Sequence, residues 1–308
     1  MIAKAIEGLL FRWLFIPLAR HAPWASRRLR PLFASITWRL LPNRRRTLRE
    51  TARVLLGSRP SPREIDSHGR RVLLHLQDFI ADVATIDHRP IEALASRVKR
   101  FDGLDHLLAA LRSGRGAILA SAHLGSFESA VAALRRASSV PVHVLFARDR
   151  IRAFDRARTL ARRHLGVVEH PVEGGVDAWL ALRDALARGE LVAILADRVM
   201  PGQRGATISF FERASALPAG PVRLAAISGA PIVPTFMIPG SDGASTLRFE
   251  APIEVDDATR AIDDSHPGQR ALVRAMERAI RAAPDQWLVV EGPWIDRADR
   301  SGADAPLS

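Results

Sequence analysis

Apolar runs of strand length alternate with segments of helical spacing through the second two thirds of the chain. The runs that predict buried strands are residues 117–122, 140–146, 191–196 and 232–238. The segments that predict helices between them are 128–136, 153–163 and 176–187. Strands that are apolar throughout and alternate with helices are typical of a parallel sheet covered on both faces. The alternation therefore predicts an α/β fold with a mostly parallel central sheet flanked by helices.

Other segments extend this prediction toward both ends of the chain. Residues 246–250 are predicted to add an edge strand, and residues 266–282 have the spacing of an amphipathic helix. Upstream, Ser61, Pro62 and Glu64 occupy the N-cap, N1 and N3 positions of a capping box. A long helix is therefore expected to begin at this motif.

Charge and composition divide the chain into three predicted parts. Residues 1–60 form a basic, apolar helical segment, residues 61–296 form the α/β domain, and the small, polar residues 297–308 form a disordered tail. The whole chain carries a formal net charge of +12. The first 50 residues contain eleven basic and two acidic residues, a net charge of +9. Most of the excess charge therefore belongs to the N-terminal segment.

Large aliphatic and aromatic residues are interleaved with the arginines of this N-terminal segment. Such a mixture favours a membrane interface, where aromatic rings lie at headgroup depth and arginines meet anionic phosphates. Its longest uninterrupted apolar run, residues 13–19, is far shorter than the roughly 20 residues of a membrane span. No secretory signal is expected. We predict peripheral or monotopic attachment to anionic lipid on the cytoplasmic face of the inner membrane; a helical hairpin packed on the protein itself is the alternative.

The segment 116–128 carries the strongest signal for chemistry. A buried strand ends at His123, Gly125 makes a turn, and Glu128 begins a helix. Ligands bind at the carboxyl ends of strands in open α/β sheets, so His123 is expected to face a cleft. A carboxylate on one ring nitrogen fixes the tautomer and leaves the other nitrogen free as a general base, and Glu128 is close enough in sequence to fold back. The alternative is a turn histidine beside a glutamate that complements the helix dipole.

The His-x4-Glu arrangement at a strand–helix turn resembles the signature of the lysophospholipid acyltransferase superfamily, and more specifically the late acyltransferases of bacterial lipid A biosynthesis. The resemblance covers roughly residues 40–295. Its further blocks are residues 101–107, 114–116, 195–198, 210–214, 220–225, 231–234 and 284–287. The resemblance implies a glycerolipid-acyltransferase-like α/β fold and acyl transfer to a lipid of the lipopolysaccharide type.

Several positions depart from the family's usual pattern. Residues 125–128 read Gly-Ser-Phe-Glu where the lipid A enzymes more often have Gly-Asn-Trp-Glu. Asp197 is followed by Arg198 where they usually have Gln, and the basic ending expected after Trp287 is absent. These departures leave the acceptor open among a lipid A precursor, another glycolipid, a lysophospholipid, ornithine lipid and an aryl-polyene-type lipid.

The resemblance implies specific roles for individual residues. His123, oriented by Glu128, would deprotonate an acceptor hydroxyl. The hydroxyl oxygen would attack the acyl thioester of either acyl-carrier protein or coenzyme A. Arg148 would contact a phosphate or the oxyanion, although a solvated loop charge is an equal alternative. Asp197 and Arg198 would belong to the substrate site, although Asp197 could equally cap a turn. Backbone amides of residues 124–127 are candidate oxyanion donors.

Other chemistries find little support in the sequence. There is no cysteine, no spacing of metal ligands and no Walker-type phosphate loop, so neither a metal nor a cofactor beyond the acyl thioester is expected. The basic segment lacks the motifs of nucleic-acid modules. We therefore predict a membrane-associated O-acyltransferase. The competing class is a non-catalytic basic protein that binds lipid or nucleic acid.

Overall fold

The computed structural model describes residues 16–149, 151–199, 205–240, 244–256, 261–290 and 292–295. Residues 1–15 of the predicted membrane segment and the predicted tail, 297–308, lie outside this part of the chain. The strands are β1 (Val98–Asp102), β2 (Ala117–Ser121), β3 (Val142–Phe146), β4 (Val168–Pro171), β5 (Leu191–Leu195), β6 (Ala206–Phe210), β7 (Arg213–Leu217), β8 (Ile232–Pro239) and β9 (Ser245–Phe249).

A seven-stranded sheet of order β1-β9-β8-β2-β5-β3-β4 forms the centre of the molecule. The five strands from β8 to β4 are parallel, whereas β9 pairs with β8 in the antiparallel sense and β1 runs parallel to β9. Strand β2 lies in the middle, and its first four residues are buried on both faces, as its continuous apolar sequence requires. The predicted mostly parallel α/β sheet is confirmed.

Helices cover both faces of this sheet. The helices are α1 (Ile16–His21), α2 (Pro23–Leu40), α3 (Pro42–Leu55), α4 (Pro62–Val83), α5 (Ile91–Ala95), α6 (Leu104–Arg112), α7 (Phe127–Ala137), α8 (Arg152–His164), α9 (Gly175–Ala187), α10 (Gly220–Ser228) and α11 (Pro267–Ala282). Buried residues of α6, α7 and α8 form one apolar cluster with the sheet, and those of α9, α10 and α11 form the other. A β6–β7 hairpin packs beside the second cluster.

The prediction that residues 246–250 form an edge strand is wrong about the place of this strand in the sheet. Residues 245–249 do form a strand, β9, but β9 lies between β8 and β1. The edge belongs to β1, where only Val98 is buried and Lys99 and Arg100 are exposed. Charged residues on an edge strand discourage pairing with other chains, and they also remove the apolar run by which a strand is predicted.

The helices at the N-terminus pack against one another and against the α/β domain. The capping box predicted at Ser61 is present, since its hydroxyl accepts from the Glu64 N–H and the Glu64 carboxylate accepts from the Ser61 N–H. Helix α4 then approaches α2 closely at Gly69, where a Cβ would lie 2.6 Å from the ring of Trp38. Within the described residues, no helix is both long and apolar enough to cross a membrane. The domain boundary at residue 60 stays a prediction.

Candidate active site

The carboxyl ends of β2 and β5 meet in the middle of the sheet and bring His123 beside Asp197. The two strands are in register from Ala117 to Ser121, and the Ala196 N–H continues the ladder by donating to the Ser121 carbonyl at 2.7 Å. His123 and Asp197 therefore follow neighbouring strands by similar distances. Loops at the carboxyl edge of a parallel sheet are where ligands bind.

Asp197 holds His123 at two places. Its Oδ1 lies 2.8 Å from His123 Nδ1, and its Oδ2 accepts the His123 backbone N–H at 2.9 Å. An ionised carboxylate only accepts, so Nδ1 carries the proton and the neutral ring keeps a lone pair on Nε2. Within the described part of the chain, Nε2 has no hydrogen-bond partner, and the His123 side chain is 22% exposed. This geometry is that of an oriented general base.

Asp197 is held in its ionised form although it is fully buried. Burial is the largest influence and works against the charge. The positive charge that His123 carries when protonated and the hydrogen bonds from its ring, its backbone N–H and the indole of Trp287 outweigh burial and lower the pKa of Asp197 below its ordinary value. A hydrogen-bonded, unsolvated carboxylate of this kind is suited to stabilising an imidazolium.

Glu128 does not take the position predicted for it. The carboxylate on the His123 ring is that of Asp197, so the expected contact from Glu128 is corrected. Glu128 lies at the start of α7 in the same cavity as His123, where its Oε2 is buried and accepts no hydrogen bond from a described residue. Burial raises the pKa of Glu128 to about 7, against the opposing influence of its own backbone N–H and of Arg158. Near neutral pH it is therefore partly protonated.

Of the four backbone amides in the turn after His123, two are engaged in hydrogen bonds and two are unused. The Leu124 N–H donates to Ala122 and the Gly125 N–H donates to Gln286, at 2.7 and 3.3 Å. Gly125 has φ +63°, and a Cβ there would lie 2.9 Å from the Met237 carbonyl oxygen, so this turn requires glycine. In the described structure the amides of Ser126 and Phe127 have no acceptor. They are the remaining candidates among the amides of residues 124–127 that were predicted to donate to an oxyanion.

A cavity of about 970 Å³ opens at His123 and reaches both faces of the sheet. On the face of α7 and α8 its walls include Leu119, Leu134 and Ala193, and on the other face they include Ile194 and Leu224. This volume is at the upper end of the range for small-molecule sites. A large apolar cavity beside an oriented histidine suits a long hydrocarbon chain better than a polar metabolite.

Arginines supply most of the charge in this cavity, and three of the four that line it, Arg158, Arg162 and Arg223, were not predicted. Arg198 lines the cavity and follows Asp197 in sequence, whereas Arg148 is exposed and is not among the lining residues. Among the cations that line the cavity, Arg158 on α8 has the largest electrostatic influence on the pKa of Glu128. Burial lowers the pKa of Arg158, and the Glu128 carboxylate opposes that shift. Nothing in the sequence spacing separates Arg158 from the other arginines of α8.

No metal site accompanies these groups in the described residues, since no cluster of three potential ligands is found there.

The structure brings together four of the five predicted site residues: His123, Glu128, Asp197 and Arg198. The residues that were missed are Arg158, Arg162, Arg223 and Trp287. The indole N–H of Trp287 donates to Asp197 Oδ2 at 2.7 Å.

Comparisons with known proteins agree on one family. A model of the family described as bacterial lipid A biosynthesis acyltransferase matches residues 29–295. A phosphatidylinositol mannoside acyltransferase of Mycobacterium tuberculosis is 28% identical over 214 residues, which are 68% of this chain and 64% of the relative. A lipid A biosynthesis acyltransferase of Haemophilus influenzae is 24% identical over 204 residues, which are 66% of this chain and 60% of the relative. The chain thus spans slightly less than two thirds of the length of these relatives. Because the family model covers most of the sequence, the chain belongs to the bacterial lipid A biosynthesis acyltransferase family.

Proposed function

We propose that this protein is an O-acyltransferase that moves a fatty acyl chain from an acyl thioester to a hydroxyl of a lipid or glycolipid. The observation that carries the proposal is the His123–Asp197 pair at the mouth of an apolar cavity of about 970 Å³. A general base with a free Nε2 accounts for activation of a hydroxyl. The cavity accounts for a long acyl group.

In the proposed reaction, Nε2 of His123 takes the proton of the acceptor hydroxyl while the hydroxyl oxygen attacks the carbonyl carbon of the thioester. Asp197 stabilises the imidazolium that forms. The C–S bond of the tetrahedral intermediate then breaks, and the imidazolium returns its proton to the departing thiolate. No acyl-enzyme is needed, because acceptor and donor react directly. The partly protonated Glu128 is the second titratable group of the cavity and a further candidate catalytic residue.

Two kinds of donor are available for the developing oxyanion. The unused amides of Ser126 and Phe127 lie on the turn that begins α7. The Arg158 guanidinium lines the same cavity, and no described residue forms a hydrogen bond with it. Preorganised N–H groups in a site of low polarity are among the strongest contributors to the stabilisation of such an intermediate. We assign Arg158 to the oxyanion or to a phosphate of the substrate.

We expect Arg158→Gln to lower kcat/KM for acyl transfer by about 100-fold, since loss of one preorganised donor typically costs that much. Arg148→Gln removes an equal charge from the loop that follows β3, outside the cavity lining, and is expected to change kcat/KM much less. Steady-state kinetics of both variants decide between the two arginines. A larger loss in Arg148→Gln would return the role to the residue predicted from sequence.

For the acceptor, a lipid A-type precursor is the first choice. One relative is named for lipid A biosynthesis and another for phosphatidylinositol mannoside. Both names refer to a glycolipid, so we propose a glycolipid hydroxyl as the group that is acylated. Lysophospholipid, ornithine lipid and aryl-polyene-type lipid are the alternatives. Acyl-carrier protein and coenzyme A thioesters are both anionic donors that the arginines of the cavity would attract. No metal or further cofactor is part of the proposal.

Two measurements test this function together. Purified protein is incubated with acyl-carrier-protein and coenzyme A thioesters and with each acceptor class, and acylated product is detected by mass spectrometry. The lipids of a deletion strain are compared with those of its parent, and the species that loses one acyl chain identifies the acceptor. The absence of any acyl transfer, together with an unchanged lipid profile, would contradict the proposal.

We further propose that the protein is peripheral or monotopic on the cytoplasmic face of the inner membrane, with α2 at the surface. Trp24, Arg28 and Leu32 recur at intervals of four residues on α2, and all three are exposed. Trp24 is 73% exposed and Leu32 is 54% exposed. Side chains four apart share one helix face. An exposed aromatic and aliphatic face that also carries arginine suits the interface of an anionic bilayer.

Changing both Trp24 and Leu32 to Ser is expected to weaken binding to vesicles that contain anionic lipid by about 30-fold, because roughly 2 kcal/mol of apolar burial is lost. Leu108→Ser removes an exposed leucine from α6 and serves as the control. Cosedimentation at physiological salt measures the affinity. Bulk DNA is measured in parallel, since tight DNA binding without vesicle binding would favour the non-catalytic, nucleic-acid-binding class.

A further inference from the structure

Trp287 links the C-terminal part of the chain to the His123–Asp197 pair. Its indole Nε1–H donates to Asp197 Oδ2 at 2.7 Å. The same oxygen accepts the backbone N–H of His123, so Oδ2 receives two donors while Oδ1 is left for the imidazole. The indole and the backbone N–H together therefore fix the orientation of the carboxylate relative to the imidazole ring.

The backbone on either side of Trp287 holds the loop that carries His123. The Leu288 N–H donates to the His123 carbonyl at 2.8 Å, and Gln286 accepts the Gly125 N–H. Leu124 and Trp287 form an antiparallel bridge. Residues 286–288 thus lie along residues 123–125 like a short added strand, and the indole and the histidine are fixed to the same piece of backbone.

The indole ring itself has little freedom to move. Trp287 is 1% exposed and packs among three other aromatic rings. The ring centroids of Phe210, Phe211 and Trp294 lie 5.9, 6.4 and 6.4 Å from that of Trp287. Such packing adds apolar burial and also fixes the direction of the N–H. A rigid donor of this kind is a preorganised support for a catalytic pair.

We propose that Trp287 is a positioning residue for the proposed acyl transfer, one that orients the Asp197 carboxylate toward His123 through its indole N–H. The inference rests on the proposed function, in which His123 is the base. It adds a residue that never touches the substrate. Without the N–H, Asp197 loses one of the three hydrogen bonds that it accepts.

Removal of the indole N–H is expected to raise the pH at which the His123–Asp197 pair takes up a proton. The carboxylate of Asp197 is less stabilised without this donor, so the pair binds its proton more strongly and takes it up at higher pH. Other ionisable groups that line the cavity are Glu128, Arg158, Arg162, Arg198 and Arg223. None of them is changed by a substitution at position 287. The acid limb of the pH–rate profile therefore moves upward because of the pair itself.

The test compares Trp287→Phe with Trp294→Phe. Trp294 belongs to the same aromatic cluster, but its indole N–H donates to Thr51 at 3.4 Å, away from Asp197. We expect Trp287→Phe to lower kcat about 10-fold, to leave KM for the acyl donor within about 2-fold, and to move the acid limb upward by about one pH unit. Trp294→Phe is expected to move Tm by a similar amount but to leave the acid limb in place.

A second replacement at position 287 separates loss of the N–H from loss of packing. 3-Benzothienylalanine at position 287 keeps the bicyclic shape and replaces the N–H by sulfur, so it should reproduce the shift of the acid limb with a Tm close to that of the wild type. Nitrogen-15 NMR of histidine-labelled protein follows the titration of the pair without any substrate, with His123→Gln used for assignment. That readout decides the inference even if no acyl transfer is detected.

The outcomes separate the possibilities. A titration and an acid limb that move upward in both position-287 variants support the inference. Lower kcat with an unmoved acid limb and an unmoved NMR titration shows that Trp287 only fills space, and it overturns the inference. Unchanged kinetics and titration in the benzothienyl protein overturn it as well.

Discussion

Asp197→Asn is expected to lower kcat for acyl transfer by about 10⁴-fold while the protein remains folded. Replacing the orienting aspartate of a comparable catalytic pair by asparagine has an effect of this order, because the histidine takes the wrong tautomer. His123→Ala, which removes the base, should abolish measurable transfer and leave the fold intact. Measurement of kcat with circular dichroism and Tm on the same samples checks both variants.

The hydrogen bonds of Asp197 explain why asparagine cannot substitute for it. Oδ2 accepts the backbone N–H of His123 and the indole N–H of Trp287. An amide nitrogen at that position would face two donors, so the Asn side chain must turn its NH2 group toward the imidazole. Nδ1 then becomes an acceptor, the proton moves to Nε2, and the lone pair needed for base catalysis is lost.

Asp285→Asn provides a matched control for this experiment. Asp285 lies two residues before Trp287 and pairs with Arg71 at 2.9 Å, outside the cavity lining. It should retain nearly wild-type kcat. The tautomer of His123, observed by nitrogen-15 NMR, separates the two candidate carboxylates: it should change in Asp197→Asn and stay the same in Glu128→Gln. The reverse result would restore the pairing of Glu128 with the ring.

Much of the sheet could be predicted from sequence because its inner strands are buried on both faces. Strands β2, β5 and β8 consist almost entirely of apolar residues, and that pattern is visible without a structure. Strand β1 was missed since its charged residues face solvent at the edge. The β6–β7 hairpin was missed because its strands have no long apolar run.

The site was predictable in its location but only partly in its contacts. The end of a buried strand predicts a cleft at His123, and the family resemblance predicts Asp197 in the substrate site. Sequence spacing predicts Glu128 as the partner of His123, whereas the carboxylate on its ring lies 74 residues away. Strand order brings β5 next to β2, and strand order is a long-range property that local spacing does not contain. Trp287 illustrates the same point at a separation of 90 residues.

Ala193→Phe is expected to change the acyl chain length that the enzyme uses. Ala193 lies on the central strand β5, paired with Leu119 on β2 and Val144 on β3, and all three line the cavity. Although its strand is in the middle of the sheet, Ala193 is only partly buried, because its side chain faces the cavity. A phenyl ring there would occupy space that the acyl chain uses in the proposed function.

The size of the effect follows from the methylenes that the ring displaces. Burial of one methylene contributes about 0.8 kcal/mol, so displacement of about four methylenes costs roughly 3 kcal/mol. We therefore expect kcat/KM for long-chain donors to fall by about 100-fold, while short-chain donors that end before position 193 keep their rate. Competition between donors of different chain length, with products separated by mass spectrometry, measures the change directly.

Ala109→Phe supplies the control, because Ala109 is exposed on α6 and outside the cavity lining. It adds the same ring without narrowing the cavity and should leave the preference for chain length unaltered. Ala193→Val is expected to lie between the wild type and Ala193→Phe, since a smaller side chain displaces fewer methylenes. An equal loss of activity for every chain length in Ala193→Phe would mean that the acyl chain lies elsewhere, and the cavity on the face of α7 and α8 would then have to hold the acceptor instead.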